Sequence, residues 1–282
     1  MSARLGSRIS RFRSMNFLDT FSIDSFRTSH FNPRVPALLR NQFHQIPAIS
    51  RWFDPYSFKP GFHQLNSDYL APYGSVIVPL ELTRATHPLS DSMPDDAEHH
   101  SQTFQRFEAP LSVLLASCSS SHSSPGNLYL AQCSLDSLPL PLQADLPTPD
   151  VVLKAGRGDI YANSLWLGRP PTRTPLHRDP NPNIFVQLAG QKVVRLMEPG
   201  AGRAVYEQSR SANGHANMRG QEMMEGEEME RLEDAIWGEA GEAQGWEAIL
   251  GSGDGLFIPK GWWHSVRSFG DGITGSVNWW FR

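Results

Sequence analysis

From Val151 to its last residue the chain breaks into short β-branched and aromatic runs separated by glycine, proline and asparagine. This constrains the fold more than any other feature. The runs are Ser164–Leu167, Asn183–Leu188, Lys192–Met197, Gly255–Ile258, His264–Arg267 and Ile273–Phe281, with Ala189-Gly190-Gln191 turning the second into the third. Many short strands with few helices close into a sandwich or barrel, and a cupin-type jelly roll, a double-stranded β-helix, is one such answer. One stretch breaks the pattern. Gln221–Ala240 is acidic and repeats Met229, Leu232, Ile236 and Trp237 at helical spacing, with Glu227 and Arg231 set for an i,i+4 pair. It reads as an amphipathic helix inserted between barrel strands, its acidic side a solvated surface.

The 282 residues, 39% hydrophobic, suffice for one large, mainly β domain. Upstream of the barrel the sequence predicts an N-terminal α/β extension. A short helix leads into an edge strand at Val35–Arg40, because Pro33 and Pro36 confine a strand to an edge or a strand start. Residues 41–73 read as short helices and turns, and Ser75–Leu80 as a strand. Leu111–Ala116 reads as a buried strand, paired in a hairpin with Asn127–Gln132 across the serine-rich turn Ser117–Pro125. His87–His100 reads as an exposed loop with His99 and His100 solvated. Leu135–Pro149 alternates leucine and proline and reads as a linker across the surface.

Arg4, Arg8, Arg11 and Arg13 stand among serines, and no acid precedes Asp19. Residues 1–16 are therefore either a basic tail or a segment like a mitochondrial presequence, ahead of a single domain over 17–282. A net charge of −4 supplies no overall positive field toward nucleic acid or anionic membrane. No apolar run approaches the roughly 18 residues of a spanning helix, so no membrane partner is expected. Cys118 and Cys133 form neither a disulfide framework nor a metal spacing, which fits a reducing intracellular compartment. Mitochondrial and cytosolic or nuclear placement both stay open.

The chemistry concentrates in Thr174-Pro175-Leu176-His177-Arg178-Asp179 and in Pro259-Lys260-Gly261-Trp262-Trp263-His264. His177 and Asp179 are two residues apart, so on an extended segment both leave the same face. His264 from a distant strand completes a two-histidine, one-carboxylate face whose opposite positions stay open. That suits non-haem Fe(II) that must also take a co-substrate and dioxygen. Singly, each histidine is as readily a hydrogen-bonded structural residue, and Lys192 a surface lysine. A zinc or manganese cupin uses the same ligands but has no need of a buried lysine, and a hydrolytic zinc enzyme wants a general base that no residue here supplies.

Thr-Pro-Leu-His-Arg-Asp, then Asn183, Gln187, Gly190 and Lys192, then Ile-Pro-x-x-Trp-Trp-His and Val-Asn-Trp-Trp, together form a specific pattern. The sequence resembles the JmjC-domain Fe(II)- and 2-oxoglutarate-dependent oxygenases. It is most similar to the small hydroxylase branch that includes the asparaginyl hydroxylase of hypoxia-inducible factor and the tRNA wybutosine hydroxylase. The likeness runs from about Phe17 to the end and is strongest after Leu165.

The resemblance implies a barrel core over about 151–282, with the acidic helical insert at about 221–240. It implies that His177, Asp179 and His264 hold iron. Lys192, Thr174 and Tyr129 meet the distal carboxylate of 2-oxoglutarate, and Asn183 and Asn278 line the co-substrate end of the pocket. A lysine on an apolar strand needs an anion to justify its burial, so the physical reading agrees. Hydroxylation of a protein side chain is the expected reaction, by a monomer or weak dimer. A modified tRNA base, a small molecule, histone lysine demethylation and a non-catalytic cupin-like interaction module are the alternatives.

Overall fold

The computed structural model describes residues 11–55, 62–85, 102–119, 126–210, 226–239 and 243–282. Its strands are β1 Phe12–Ser14, β2 Phe17–Leu18, β3 Ala37–Leu39, β4 Phe53–Pro55, β5 His63–Leu65, β6 Ile77–Ala85, β7 Gln102–Pro110 and β8 Asn127–Cys133. The second half adds β9 Ile160–Gly168, β10 Arg173–Arg178, β11 Asn183–Ala189, β12 Gln191–Met197, β13 Gly245–Leu250, β14 Gly255–Ile258, β15 Trp263–Phe269 and β16 Thr274–Phe281. They assemble into a small sheet, β1-β13-β12-β15-β10, and a large one, β2-β3-β14-β11-β16-β9-β8-β6-β7, with β4-β5 as a separate ribbon. The expected jelly roll is present.

The turn between β11 and β12 passes the chain from the large sheet to the small one. Gly190 makes it with φ +66°, and a Cβ there would stand 2.4 Å from the carbonyl oxygen of Ile273. Only glycine combines that backbone with that approach.

Apolar side chains divide into three layers. The largest lies outside the barrel, between the outer face of the large sheet and the N-terminal helices, and includes Trp52, Phe53, Leu114, Ile184, Val186, Val277, Trp279 and Phe281. Each such residue contributes on the order of 1.5–3 kcal/mol by burial. A smaller cluster sits between the sheets: Phe185, Val194, Leu196, Leu250, Leu256, Ile258 and Trp262. The third covers the outer face of the small sheet, where Leu232 and Ile236 of the inserted helix meet Phe12, Leu176, Met197 and Trp263.

The expected insert helix forms over Glu227–Trp237, burying Met229, Leu232 and Ile236 and pairing Arg231 with Glu227 at 3.3 Å, but its acidic side is not wholly solvated, since Glu233 is buried and pairs with Arg267. Its first turn carries Glu227, Glu228 and Glu230, the favourable end of the helix dipole for acids. At its other end Arg195 donates to the Ile236 carbonyl at 2.6 Å, and Arg11 to those of Ala235 and Gly238.

Several expectations give way. Leu111–Ser119 is a helix, not a strand, and no hairpin joins it to β8, which pairs with β6 and β9. Leu111, Leu114, Leu115 and Cys118 are its buried residues, a helical spacing that the apolar run conceals. Leu135–Pro149 is not a surface linker. It makes a 3₁₀ turn at Leu135–Ser137 and a helix at Leu140–Ala144, and buries Leu135, Leu138, Leu142, Leu146 and Asp145. Pro141 lies within the first two positions of that helix, where its missing N–H costs nothing.

Asp145 is fully buried and accepts from Arg51 at 2.6 Å, Trp52 Nε1 at 2.7 Å and Tyr69 at 2.6 Å. Strand β3 is no edge strand, since it runs between β2 and β14 with Pro36 just before its start. Phe12–Ser14, from the basic N-terminal segment, pairs parallel with β13. Residues 1–10 of that segment, the loop with His99 and His100, residues 120–125 of the serine-rich turn and residues 221–225 of the insert lie outside the described residues. Among the described residues no helix is long and apolar enough to cross a membrane, and Cys118 and Cys133 are buried and free.

Candidate metal centre

Strand β10 carries a bulge between Thr174 and His177, so two residues on β10, Pro175 and Leu176, oppose one on β15, Ser265. Thr174 lies opposite Val266 and His177 opposite His264. A regular strand would send residues 174 and 177 to opposite faces, and the extra residue returns both to the interior. Asp179 follows directly, where the strand ends.

His177 Nε2 lies 3.9 Å from Asp179 Oδ1, and His264 Nε2 lies 3.7 Å from Asp179 Oδ2. The two imidazole centroids are 4.1 Å apart. All three ligand atoms fall within 4.8 Å of one another. Each ring turns its other nitrogen to a backbone carbonyl: His177 Nδ1 to Pro175 at 2.9 Å, His264 Nδ1 to Trp262 at 3.3 Å. Those bonds place the proton on Nδ1 and leave both Nε2 lone pairs facing the carboxylate, the arrangement a divalent metal requires.

Burial drives His264 down to about 4, helped by the neighbouring His177, with Asp179 opposing. Burial by itself raises Asp179, but the two imidazoles and hydrogen bonds from Trp280 and Asn183 more than reverse this, so it sits below the usual carboxylate range. The cluster thus holds one anionic carboxylate and a neutral His264, a donor set that fits Fe(II) or a similar ion.

Asn183 Nδ2 donates to Asp179 Oδ2 at 3.0 Å, and Asn278 Nδ2 donates to Asn183 Oδ1 at 3.0 Å. These are the two asparagines expected to line the co-substrate end of the pocket, and their amides contact the metal-side carboxylate and each other. They fix its rotamer through a buried chain.

Lys192 lies on the interior face of β12, 3% exposed. Its ammonium donates to Ser276 Oγ at 2.7 Å and to the Tyr129 hydroxyl at 3.1 Å, and stands 5.4 Å from the Phe185 ring centre. Among the described residues no carboxylate pairs with it, and burial lowers it to about 7. Tyr129 is raised by burial and also hydrogen-bonds Thr172, whose Oγ1 lies 2.8 Å from Ser268 Oγ. Thr174 shares this interior face by register and is half-buried. A cation among hydroxyls, with no internal anion, fits an incoming carboxylate.

The structure therefore gathers His177, Asp179, His264, Asn183 and Asn278 in one cluster and Lys192 and Tyr129, with Ser276, in a second. Sequence reasoning missed Ser276, Thr172 and Ser268. Their signal was a small polar residue at an inward position of an otherwise apolar strand.

Comparison with known proteins agrees. The family model described as "Cupin-like domain" matches residues 23–282. The lysine-specific demethylase JMJ30 of Arabidopsis thaliana is 27% identical over 245 residues, 86% of this chain and 49% of that protein. Lysine-specific demethylase 8 of Xenopus tropicalis is 25% identical over 245 residues, 86% of this chain and 47% of its own length. The Jumonji C domain-containing protein 5 of Drosophila melanogaster is 26% identical over 255 residues, 88% of this chain and 55% of that protein. The chain spans about half the length of the curated relatives it matches. With its jelly roll, its matched length and these relatives, the chain belongs to the cupin-like (JmjC) domain family.

Proposed function

We propose that the protein is an Fe(II)- and 2-oxoglutarate-dependent oxygenase that hydroxylates a protein side chain. The observation that carries this reading is Lys192: a buried ammonium with no anion beside it among the described residues, inside the barrel that also holds the two-histidine, one-carboxylate cluster. A metal site used for hydrolysis or structure has no use for such a lysine.

His177, Asp179 and His264 would hold the iron. Lys192, with Tyr129, Ser276 and Thr174, would take the distal carboxylate of 2-oxoglutarate. When bound, the pair supplies oxidation of a C–H bond by dioxygen, coupled to decarboxylation of the co-substrate. The chain's own residues prepare the site. Pro175 and Trp262 carbonyls hold the imidazoles with Nε2 inward. Asn183 and Asn278 hold Asp179. Phe185, Leu256, Ile258 and Trp262 line the barrel with apolar surface that excludes water.

A protein substrate draws support from relatives whose names describe lysine-specific demethylases. Those names also favour a second reading, oxidative removal of a methyl group from lysine. The test is an anaerobic titration with Fe(II) and then 2-oxoglutarate, followed by its visible charge-transfer band, with Asp179→Ala as control. A band in the wild type alone is expected; metal uptake without a band overturns the co-substrate assignment. Mass analysis of candidate peptides then separates the reactions, since hydroxylation retains an added oxygen and demethylation loses a methyl group.

A further inference from the structure

The inserted helix, besides packing on the outer face of the small sheet, is joined to the metal centre by a hydrogen-bonded relay. Trp237, in its last turn, donates its indole Nε1–H to Ser265 Oγ at 2.9 Å. Ser265 is fully buried, sits next to His264 in β15, and donates its own hydroxyl to the Thr174 carbonyl at 3.0 Å. That carbonyl belongs to the peptide joining Thr174 to Pro175, at the bulge that brings His177 inward. The Pro175 carbonyl is in turn the partner of His177 Nδ1.

The chain Trp237–Ser265–Thr174–Pro175–His177 therefore runs unbroken from the insert to a metal-ligating ring. Trp237 itself is held in place. The guanidinium carbons of Arg195 and Arg267 lie 4.2 and 4.6 Å from its ring centre, Arg195 also pairs with Glu247 at 2.8 Å, and Arg267 pairs with Glu233 of the same helix.

We infer that Trp237 and Ser265 are positioning residues that set the orientation of His177, so the insert is part of the metal-binding apparatus. The inference rests on the metal-site reading above. A bulge leaves one strand residue outside the ladder, and its peptide planes can rotate unless something else fixes them. Ser265 supplies that restraint, and Trp237 fixes the Ser265 hydroxyl by occupying its acceptor side. Partners that orient a ligating histidine typically govern metal affinity by about 10–100-fold. Trp237 stands further back than Pro175, which puts its effect near the lower figure.

The experiment uses the full chain with Co(II) as a spectroscopic probe, under anaerobic conditions. Trp237→Phe keeps an aromatic ring beside the arginines and removes the indole N–H, and Ser265→Ala removes the hydroxyl. Melting temperatures near the wild-type value confirm folding. The relay predicts about tenfold weaker Co(II) binding and an altered visible d–d spectrum in each variant. It also predicts that the double variant is no weaker than Ser265→Ala alone, because both changes break one chain. Wild-type affinity and spectrum in Trp237→Phe, or additive losses in the double variant, overturn the relay while leaving the metal site standing. Failure of the wild type to take up Co(II) overturns the metal-site reading, and the relay falls with it.

Discussion

Replacing Lys192 by methionine gives the sharpest test of the site, because the stability effect and the binding effect run in opposite directions. Burial lowers the lysine from 10.5 to about 7. A group whose folded-state value is depressed below its unfolded value releases its proton earlier in the native state. Between about pH 7 and 10.5 the unfolded chain therefore binds more protons, and stability rises with pH. The cost of holding the ammonium is full below pH 7, about 5 kcal/mol, and fades toward pH 10.5. Methionine fills similar space without that cost. Against this, Ser276 and Tyr129 lose a donor, at about 1–3 kcal/mol for a buried hydroxyl left unpaired. Tyr129 keeps its bond to Thr172, so the loss falls mainly on Ser276.

The net expectation is a metal-free variant more stable than wild type by about 2–4 kcal/mol at pH 6.5–7. That advantage shrinks by about 1.4 kcal/mol per pH unit above 7. Urea unfolding of both proteins from pH 6.5 to 9.5 measures it, and subtracting the two curves cancels every other titrating group. In the same variant 2-oxoglutarate binding is lost. A Lys192→Met protein less stable than wild type at pH 7, or a stability difference that ignores pH, refutes the picture of a buried cation waiting for an anion.

Two further changes probe the scaffold. Asp145→Ala removes the common acceptor of Arg51, Trp52 and Tyr69, leaving the buried Trp52 indole and the half-buried Tyr69 hydroxyl unpaired while the exposed Arg51 turns to solvent, and should cost about 2–4 kcal/mol by denaturant midpoint. Wild-type stability there means that water reaches the cluster. Gly190→Ala forces a side chain into left-handed backbone 2.4 Å from a carbonyl and should cost at least about 2 kcal/mol. A smaller loss means that the turn relaxes.

The ligands were readable because coordination chemistry restricts residue types and spacing so tightly. The His-x-Asp pair needed only the two-residue period of an extended chain. Why Thr174 shares a face with His177 was not readable, because the bulge leaves no mark that distinguishes it from a regular strand. Ser276, Thr172 and Ser268 escaped for a related reason: a small polar residue pointing inward matters only once its neighbours are known.

The helix at Leu111–Ser119 was misread because a short apolar run satisfies strand and helix alike, and only the positions that end up buried separate them. Leu135–Pro149 was misread because its prolines were counted as breakers, whereas position decides whether a proline opens a helix or ends one. The helix Pro199–Ser209 went unpredicted. Two glycines weaken its pattern, and one of them, Gly202, is required by the Trp263 ring, 2.3 Å from where a Cβ would stand.

The largest apolar layer lies outside the barrel, against the back of the large sheet. A barrel whose walls are clamped from behind depends less on its own filling for cohesion. Its lumen can therefore be furnished with amides, hydroxyls, imidazoles and a lysine, while most of the apolar burial that keeps the chain folded resides elsewhere. In such a molecule the larger share of cohesive burial falls on residues that line no part of the lumen, and that share offsets the cost of a lumen group such as the buried lysine.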